Sequence, residues 1–574
     1  MPDPIKIIDL FAGPGGLGEG FSNCMEDSPF EIAMSVEFEK KAHSTLTHRA
    51  FYRKLDARGK KRFLDYVRTT NQTSRSQILE ALKTAYVDEW EMANHETMGE
   101  PHTLGNSKVW EKLKEGLIIT DEDRKDTPQQ IAISKRVKEI KKECKKNKVP
   151  LIVIGGPPCQ SYSISGRSRA KGIEGYSPDE DQRFFLYREY CRVLSEATPD
   201  IFIMENVKGI LSAKLANEHH IFPMILDALR EPCSVLDKKS NLRYRLYSIV
   251  KQPDQDESTP SYRNFMDFNI KADQFGVPQS RNRVIVLGVR EDHGRITNFM
   301  QSEIDLSGGK TNGAVSISDL IGSFPPLRSG ISKREKEESD TFENWLNQWN
   351  ESKKILMGNL TSPEFRSTRD VLQKQQQAPM SSKLNTGNEF FVESSRSGFS
   401  RTFEKSTLPE HVALRKWLYH PNLSGFANHS TKSHQRFDRK IYMFVAAYAI
   451  AHSDEENPSP TSKHFPRFLA PDHKSWHKGD HADRFRCFES SKTPKTITSH
   501  LKKDGHAFIH YDIKQNRAIS PREAARIQTF PDDYFFEGKQ GSQYQQVGNA
   551  VPPFLARLIA LHVLEILKGK KLLN

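Results

Sequence analysis

A cysteine in a rigid setting is the first candidate for chemistry in this sequence. Cys159 follows the apolar run 151–154 in the stretch Gly-Gly-Pro-Pro-Cys-Gln-Ser. The two prolines restrict the backbone and aim the thiol at the carboxyl end of a predicted strand, where α/β proteins bind their ligands. An isolated cysteine is more often a small buried hydrophobic residue, but this rigid position at a strand end favours a nucleophile.

A glycine-rich turn near the start of the chain predicts a cofactor site. The strand-length run 5–11 leads into Ala-Gly-Pro-Gly-Gly at 12–16, and Leu17 and Phe21 then recur at helical spacing. Glycines let the backbone approach a ligand closely, and Glu37 ends the next predicted strand, where a carboxylate can bind the hydroxyls of a ribose. The pattern indicates a nucleoside cofactor without distinguishing a dinucleotide from S-adenosylmethionine. The alternative is a turn that needs glycine only for packing.

Charged residues lie at the ends of two further apolar runs. Glu205 follows one run in Met-Glu-Asn-Val-Lys-Gly, and Arg281 and Arg283 open a later one. Strand alternation places both arginines on one face. Each signal is weak alone, because an acid at a helix start is common. Together they predict an acid and two cations beside Cys159 at one edge of a sheet.

Two polar segments are candidates for binding a ligand. Residues 160–178 are rich in Ser and Gly and include Arg167, Arg169 and Lys171, which predicts a mobile basic flap that contacts phosphates and closes over a site. The segment 496–512 fits either a surface hairpin or a hairpin that contacts nucleic acid.

Three histidines have the spacing of metal ligands but not the setting. His473, His477 and His481 recur every four residues. Gly479 and the neighbouring prolines disfavour a helix that would hold them on one face. We therefore expect no metal.

Alternating strands and helices predict the fold class. Apolar runs of strand length recur between helical stretches, as in an α/β fold with a doubly wound, mainly parallel sheet. Besides the first run, they lie at residues 32–36, 151–154, 201–204, 244–250 and 284–288.

The pattern divides the chain into three parts. Residues 1–290 form the predicted catalytic domain, with a charged helical insertion at about 50–148 whose last helix is read as solvated rather than bound to nucleic acid. Residues 291–514 form a second, smaller irregular domain with polar insertions. Residues 515–574 return to complete the first domain, with a helix that starts at the Ser520 capping box and another from 552 to about 568.

Composition excludes several classes of protein. The chain has 574 residues and a net charge of +12, from 85 Lys and Arg against 73 Asp and Glu, which permits a polyanionic partner without requiring one. Its six cysteines are scattered, so a disulfide scaffold and cysteine-rich zinc sites are not expected. No signal peptide or membrane-length apolar run is evident. We expect a soluble protein of a reducing compartment.

These motifs, with Gln-Gln-Val-Gly-Asn-Ala-Val-Pro-Pro at 545–553, closely resemble those of the DNA (cytosine-5) methyltransferase family of prokaryotic restriction-modification systems. The likeness covers residues 5–290 and 515–565. Residues between them match the family's target recognition domain in position and length more than in sequence. The resemblance implies a class I, Rossmann-like S-adenosylmethionine-dependent methyltransferase fold.

The resemblance also implies a mechanism. A thiolate at Cys159 would add to C6 of a cytosine flipped out of duplex DNA, forming a covalent intermediate whose C5 takes the methyl group. Glu205 would contact N3 and the exocyclic amine. Arg283 would hold O2, with Arg281 nearby.

The cofactor contacts follow from the same match, whereas the DNA contacts are expected in the basic flap. The expected DNA contacts are Gln160, Ser163, Arg167 and Arg169. An acidic contact to the adenine amine is expected between Glu37 and Cys159, where the insertion hides it. The cofactor contacts fall on Phe11, Gly13, Gly15, Gly16, Glu37, Phe38, Pro157, Leu186 and Asn549.

The expected partners are double-stranded DNA and S-adenosylmethionine, with no metal and no membrane. We expect a cytoplasmic, nucleoid-associated bacterial monomer, with a cognate restriction endonuclease that acts separately. One alternative is an RNA (tRNA) cytosine-5 methyltransferase, which the long second domain disfavours. Another is a catalytically silent DNA-binding relative, which would not require the thiol.

Overall fold

A mixed β-sheet forms the centre of the protein. The computed structural model describes residues 3–99, 126–158, 186–214, 219–236, 239–256, 259–301, 314–335, 339–375, 384–471, 476, 483–503 and 505–573. Within these residues the sheet has eight strands in the order β3-β2-β1-β4-β5-β8-β6, and β7 pairs with β8. The strands are β1 (Ile5–Leu10), β2 (Phe30–Val36), β3 (Thr97–Met98), β4 (Leu151–Gly155), β5 (Ile201–Val207), β6 (Tyr244–Ser248), β7 (Asn269–Lys271) and β8 (Asn282–Arg290).

Strand direction divides the sheet into two parts. The strands β1 to β5 pair in parallel, whereas β8 runs antiparallel to β5, β6 and β7. Four short strands lie outside this sheet, and they form an antiparallel and a parallel pair. They are β9 (Gly330–Ile331), β10 (Gly387–Glu393), β11 (Gly425–Ser430) and β12 (Ser433–His434).

Helices cover both faces of the central sheet and recur through the second part of the chain. The α-helices of the described residues are α1 (Gly16–Ser22), α2 (Lys40–Lys54), α3 (Ala57–Arg68), α4 (Gln72–Ala85), α5 (Val87–Glu96), α6 (Pro128–Asn147), α7 (Leu186–Ala197), α8 (Ile221–Arg230), α9 (Ile317–Ile321), α10 (Phe342–Asn359), α11 (Arg366–Lys374), α12 (Arg401–Lys405), α13 (Pro409–Leu418), α14 (Arg436–Ala451), α15 (Pro521–Ile527), α16 (Gln540–Asn549) and α17 (Pro553–Gly569).

Side chains of successive strand residues enter two different cores. Ile7 packs in a core with α1 and α17, whereas Ile8 packs on the opposite face with α6, α7 and α8. Parallel strands buried on both faces require apolar residues at consecutive positions, which is the pattern seen in the sequence. The predicted doubly wound, mainly parallel sheet is therefore confirmed.

The described part of the insertion is mainly helical, and its short strand β3 joins the edge of the central sheet. Thr127 and Gln130 form a capping box at the start of α6, and Val137 and Ile140 are fully buried. The apolar face of α6 thus packs on the sheet and its lysines lie on the other faces. Helices α2 to α5 share a further core with β10 and β11, which ties the insertion to the second part of the chain.

The second part of the chain has more regular structure than expected. The predicted helix at 436–450 is confirmed by α14, but the polar segment 331–400 contains α10, an 18-residue helix that the composition did not reveal. Trp345 and Trp349 of α10 are buried against α14 in a separate core. A few large apolar residues at helical spacing suffice to dock a helix whose other positions are polar.

The C-terminal region completes the sheet core. Ser520 and Glu523 form the predicted capping box, with Pro521 at the first helical position. The stretch Gln540–Gly569 has the length and hydropathy of a membrane span, but 78% of its most apolar window is buried inside the protein. A helix in the core of a protein can have the same length and hydropathy as a membrane span, and the burial of this stretch fits a core helix.

Helix α1 packs so closely on α17 that a side chain at Gly20 has no room. A Cβ atom at Gly20 would lie 2.4 Å from the Cβ of Ala556 and 2.5 Å from the amide nitrogen of Arg557. We expect Gly20→Ala to lower the free energy of unfolding by about 1–3 kcal/mol, the usual cost of overpacking.

Gly358, in α10, is a matched control because a Cβ there would meet nothing within 4 Å. Gly358→Ala should stabilise the protein by roughly 0.5–1 kcal/mol through helix propensity. Urea unfolding compares the two variants, and equal unfolding midpoints for both would contradict this account of the packing.

Candidate functional site

The turn after β1 adopts a conformation suited to close contact with a ligand. Gly13 and Gly15 have φ values of 59° and 93°, and Phe11 has a φ of 55°, which is uncommon for a residue with a side chain. A Cβ at Gly16 would lie 2.3 Å from the carbonyl oxygen of Val551, so glycine is required there for the C-terminal segment to approach. Both backbone strain and close approach therefore occur at the predicted cofactor turn.

Glu37 joins the turn to the end of β2. Its carboxylate accepts hydrogen bonds from the backbone amides of Gly13 and Glu39, both at 2.7 Å. Burial raises the pKa of Glu37, and these two amides oppose that rise. Each oxygen retains a further lone pair, so the side chain can still accept a hydroxyl of a ribose.

Phe38 lies beside Glu37 and is 64% exposed. An aromatic ring left this open next to a strained glycine turn suits stacking on a flat ligand such as adenine. Pro157, Leu186 and Asn549 are the remaining described candidates, and Asn549 is exposed at the end of α16, two residues before the Val551 carbonyl that meets the turn. The residues present therefore fit a nucleoside cofactor.

Glu205 and Arg283 form a buried ion pair at the carboxyl end of β5. The antiparallel register sets Val207 opposite Arg283, and the Arg283 Nε lies 2.6 Å from Oε1 of Glu205. Burial raises the pKa of Glu205, and the Arg283 guanidinium opposes this rise. The pair is thus a carboxyl group that holds a proton more readily than usual, beside a fixed cation.

This ion pair lies against the loop that leads to the candidate nucleophile. A Cβ at Gly156 would come within 2.5 Å of Oε2 of Glu205, so glycine makes room for that carboxylate. The Asn206 amide donates to the carbonyl oxygen of Pro157 at 3.1 Å and fixes the start of the diproline. Cys159 and the predicted DNA contacts Gln160, Ser163, Arg167 and Arg169 lie outside the described residues, as do His473, His477 and His481.

Arg281 has surroundings that differ from those expected. It is 2% exposed and donates to the backbone carbonyls of Ile497 at 2.6 Å, Ala550 at 2.9 Å and Gly548 at 3.1 Å. The Arg281 guanidinium therefore joins the start of β8 to the segments at 497 and at 548–550. These contacts hold the Arg281 guanidinium on backbone carbonyls, and the catalytic role expected for Arg281 stays a prediction.

The segment 496–512 is bound to the residues that precede β8. The side chain of Gln279 accepts a hydrogen bond from the amide of Ile497 at 2.9 Å. Thr496, His500 and Phe508 line a groove of about 740 Å³ that begins beside Ser280. Within the described part of this segment no two residues form a β-bridge with each other, but Ile509 forms an antiparallel bridge to Ala518, so the pairing extends beyond the segment. A contact of this segment with nucleic acid stays a prediction.

Two features of the site had no signal in the sequence. Asp9, next to the end of β1, is fully buried, and Tyr534 donates its hydroxyl hydrogen to the carbonyl oxygen of Pro14 in the glycine turn. Burial raises the pKa of Asp9 to about 8, against the opposing attraction of the Arg53 guanidinium. The expected acidic contact to adenine stays unassigned, because residues 100–125, which follow β3 and Gly99, lie outside the described residues.

The described residues include no cluster of His, Cys, Asp and Glu that could hold a metal ion. This statement does not cover the three histidines at 473, 477 and 481.

The burial of Asp9 makes the stability of the protein depend on pH. The folded carboxyl stays protonated up to about pH 8, whereas the unfolded chain ionises near the ordinary pKa of 3.8. Unfolding between these values releases a proton, so this group lowers the free energy of unfolding as pH rises, by at most about 1.4 kcal/mol per pH unit.

We expect Asp9→Asn to remove this dependence. The stability of the variant relative to wild type should then increase between about pH 5 and about pH 7, measured by urea unfolding at several pH values. Parallel pH profiles for the two proteins would show that Asp9 is ionised in the fold.

Comparison with known proteins agrees with this geometry. The family model described as C-5 cytosine-specific DNA methylase matches residues 118–232 and 261–565, which is more than half of the chain, although the glycine turn precedes the match. The Type II methyltransferase M.Bpa9945I of Bacillus paralicheniformis is 28% identical, with 98% of this chain and 99% of the relative covered.

More distant similarities are of the same kind. The DNA (cytosine-5-)-methyltransferase M.ApeKI of Aeropyrum pernix is 24% identical over 72% of this chain and 81% of its own. A crystal structure of a provisionally named DNA modification methyltransferase, encoded within a prophage (E. coli), is 17% identical with a TM-score of 0.47, covering 98% of this chain and 99% of the other.

Proposed function

The chain belongs to the family of C-5 cytosine-specific DNA methylases, and from that premise we propose that it transfers a methyl group from S-adenosylmethionine to C5 of a cytosine in double-stranded DNA. The observation that carries the proposal is the buried Glu205–Arg283 pair, which packs against Gly156 three residues before Cys159. The strained glycine turn, Glu37 and the exposed Phe38 supply the place for the cofactor.

The proposed mechanism begins with addition of the nucleophile to the base. The thiolate of Cys159 adds to C6 of the cytosine, and the electron pair of the C5–C6 double bond becomes available at C5. When bound, S-adenosylmethionine would supply an electrophilic methyl group, to which C5 bonds as the bond between that methyl carbon and the sulfonium breaks and S-adenosylhomocysteine is left. A base then removes the C5 proton, and the thiolate leaves C6 as the double bond re-forms.

Glu205 and Arg283 stabilise the base while the thiol adds. Because burial raises the pKa of Glu205, its carboxyl group takes up a proton more readily than usual and can share it with N3, which offsets the negative charge that the thiolate brings to the ring. Arg283 supplies a fixed positive charge for O2. Because a cytosine stacked in a duplex exposes neither face to a thiol, the target base must leave the helix.

The second part of the chain, residues 291–514, is proposed to read the DNA sequence. One bidentate contact between an arginine and a guanine discriminates by about 1–3 kcal/mol, so a site of several base pairs needs several such contacts. The predicted residues Gln160, Ser163, Arg167 and Arg169 are proposed to contact the DNA from the other side. We expect a monomer in the cytoplasm, bound to the nucleoid through DNA.

A role in a restriction-modification system is the biological form of the proposal. The relatives named as type II methyltransferases support it, and a cognate endonuclease would act separately. The same names support DNA over RNA as the substrate. The intact Glu205–Arg283 pair also argues against a silent DNA-binding relative, because two buried charges are costly to keep without a use.

The reaction, the substrate and the recognised sequence can be tested together. The chain is expressed in a host that lacks cytosine methylation, and 5-methylcytosine is mapped across the recovered DNA. We expect methylation at C5 of one cytosine within a short recurrent sequence. Methylated transfer RNA with unmodified DNA would favour the RNA alternative, and the absence of 5-methylcytosine in both would refute the proposed activity.

Cys159→Ala should abolish methyl transfer to duplex DNA, because no other group is proposed to add to C6. The affinity for S-adenosylmethionine should stay within about twofold of wild type, since the thiol contacts the base rather than the cofactor. Cys233→Ser, which changes a buried thiol beyond α8, is the control and should remain active. Turnover by Cys159→Ala would reject this nucleophile.

Duplex DNA with 5-fluorocytosine at the methylated position should trap a covalent complex with the wild type. Fluorine at C5 cannot leave as a proton, so elimination of the thiolate is blocked after methyl transfer. The adduct is detected by denaturing electrophoresis and located by peptide mass spectrometry. We expect Cys159 to carry it, and an adduct on any other residue would overturn the assignment.

A further inference from the structure

The segment from Arg526, in the last turn of α15, to the start of α16 contacts both the second part of the chain and the glycine turn. At one end, the Arg526 guanidinium donates to the backbone carbonyls of Leu320 at 3.0 Å and Ser397 at 2.8 Å. It also lies between the rings of Phe399 and Phe324, 4.3 and 4.8 Å from their centres. This end of the segment is therefore anchored in the 291–514 part of the chain.

The other end of the segment reaches the glycine turn. The Tyr534 hydroxyl donates to the carbonyl oxygen of Pro14, and a Cβ added at Gly15 would lie 3.0 Å from that hydroxyl. Tyr534 is fully buried, and burial raises the pKa of its phenol well above the ordinary value. The hydroxyl therefore stays protonated and remains a donor.

Charged neighbours hold Tyr534 in this place. The Arg49 guanidinium lies 4.8 Å from the centre of the Tyr534 ring and 2.8 Å from Oδ2 of Asp533. The same guanidinium donates to both carboxylate oxygens of Glu19, in the first turn of α1. Arg49, Asp533 and Glu19 are all buried, so the arrangement has little freedom to shift.

We propose that Tyr534 is a positioning residue for cofactor binding, because its hydroxyl fixes the peptide between Pro14 and Gly15 and thereby the direction of the turn's amides. This inference rests on the proposed use of S-adenosylmethionine. It makes a residue outside the turn, on a segment anchored in the second part of the chain, responsible for part of the cofactor affinity. The ring needs no contact with the cofactor to do so.

Tyr534→Phe removes the hydroxyl and keeps the ring. Tyr544→Phe is a matched control, because Tyr544 is also fully buried and its hydroxyl donates to a backbone carbonyl, that of Ile519, at 2.7 Å. Both variants should lose similar thermal stability. Affinity for S-adenosylmethionine, measured by calorimetric titration of the full chain, should fall about five- to tenfold only in Tyr534→Phe, the size expected for one buried hydrogen bond.

Kinetics provide an independent measurement. The KM for the cofactor should rise in Tyr534→Phe by the same factor while kcat at saturating cofactor stays unchanged. Asp533→Asn, which weakens the hold of Arg49, should shift the affinity in the same direction by a smaller factor.

Unchanged affinity in Tyr534→Phe, or equal losses in both tyrosine variants, would overturn the inference and leave the proposed function intact. A wild-type chain that binds no S-adenosylmethionine would overturn both.

Discussion

The site depends on the contact between the glycine turn with its helix and the C-terminal part of the chain. Gly16 meets the carbonyl of Val551, and Gly20 meets Ala556, at distances that leave no room for a Cβ. Side chains of α1 and α17 then fill one core with the sheet. Because close packing of backbones is lost with a single added methyl group, this contact sets the position of the turn relative to everything that follows α16.

Buried charges connect the sheet edge to the rest of the molecule, and they do so in two different ways. Among the described residues no acid pairs with Arg281, and the terminal nitrogens of its guanidinium donate to backbone carbonyls in two segments that are distant in sequence, at 497 and at 548–550. Arg283 is paired with Glu205 instead, at the place where the proposed chemistry needs a proton and a fixed cation. Removing a charge from water is costly, so a buried guanidinium needs polar partners such as these.

The sequence predicted those features that depend on local chemistry. Apolar runs predicted six strands of the central sheet, and Ser520 with Glu523 predicted a helix start, because both patterns are written in neighbouring residues. Within the site, the ends of β1, β2 and β5 could be foreseen from the strands that precede them. The backbone contacts of Arg281 could not, because its partners at 497 and 548–550 become neighbours only through the fold.

Three other features could not be predicted from the sequence for related reasons. Helix α10 was hidden by polar composition, although Trp345 and Trp349 lie at helical spacing. The contact between Tyr534 and Pro14 joins residues at opposite ends of the chain and has no local pattern at all. Asp9 resembles any acid near a strand end until its complete burial is known.

The pairing of α1 with α17 also bears on how the protein is synthesised. Leu17 and Phe21 leave the ribosome early, yet the residues that cover them, among them Leu555 and Ile559, follow the whole second part of the chain. At about 5–20 residues per second, the time between synthesis of α1 and synthesis of α17 is on the order of a minute. During that time the apolar face of α1 is exposed and can be bound by chaperones. Translation therefore delays the final packing of the glycine turn and α1 until α17 has been synthesised.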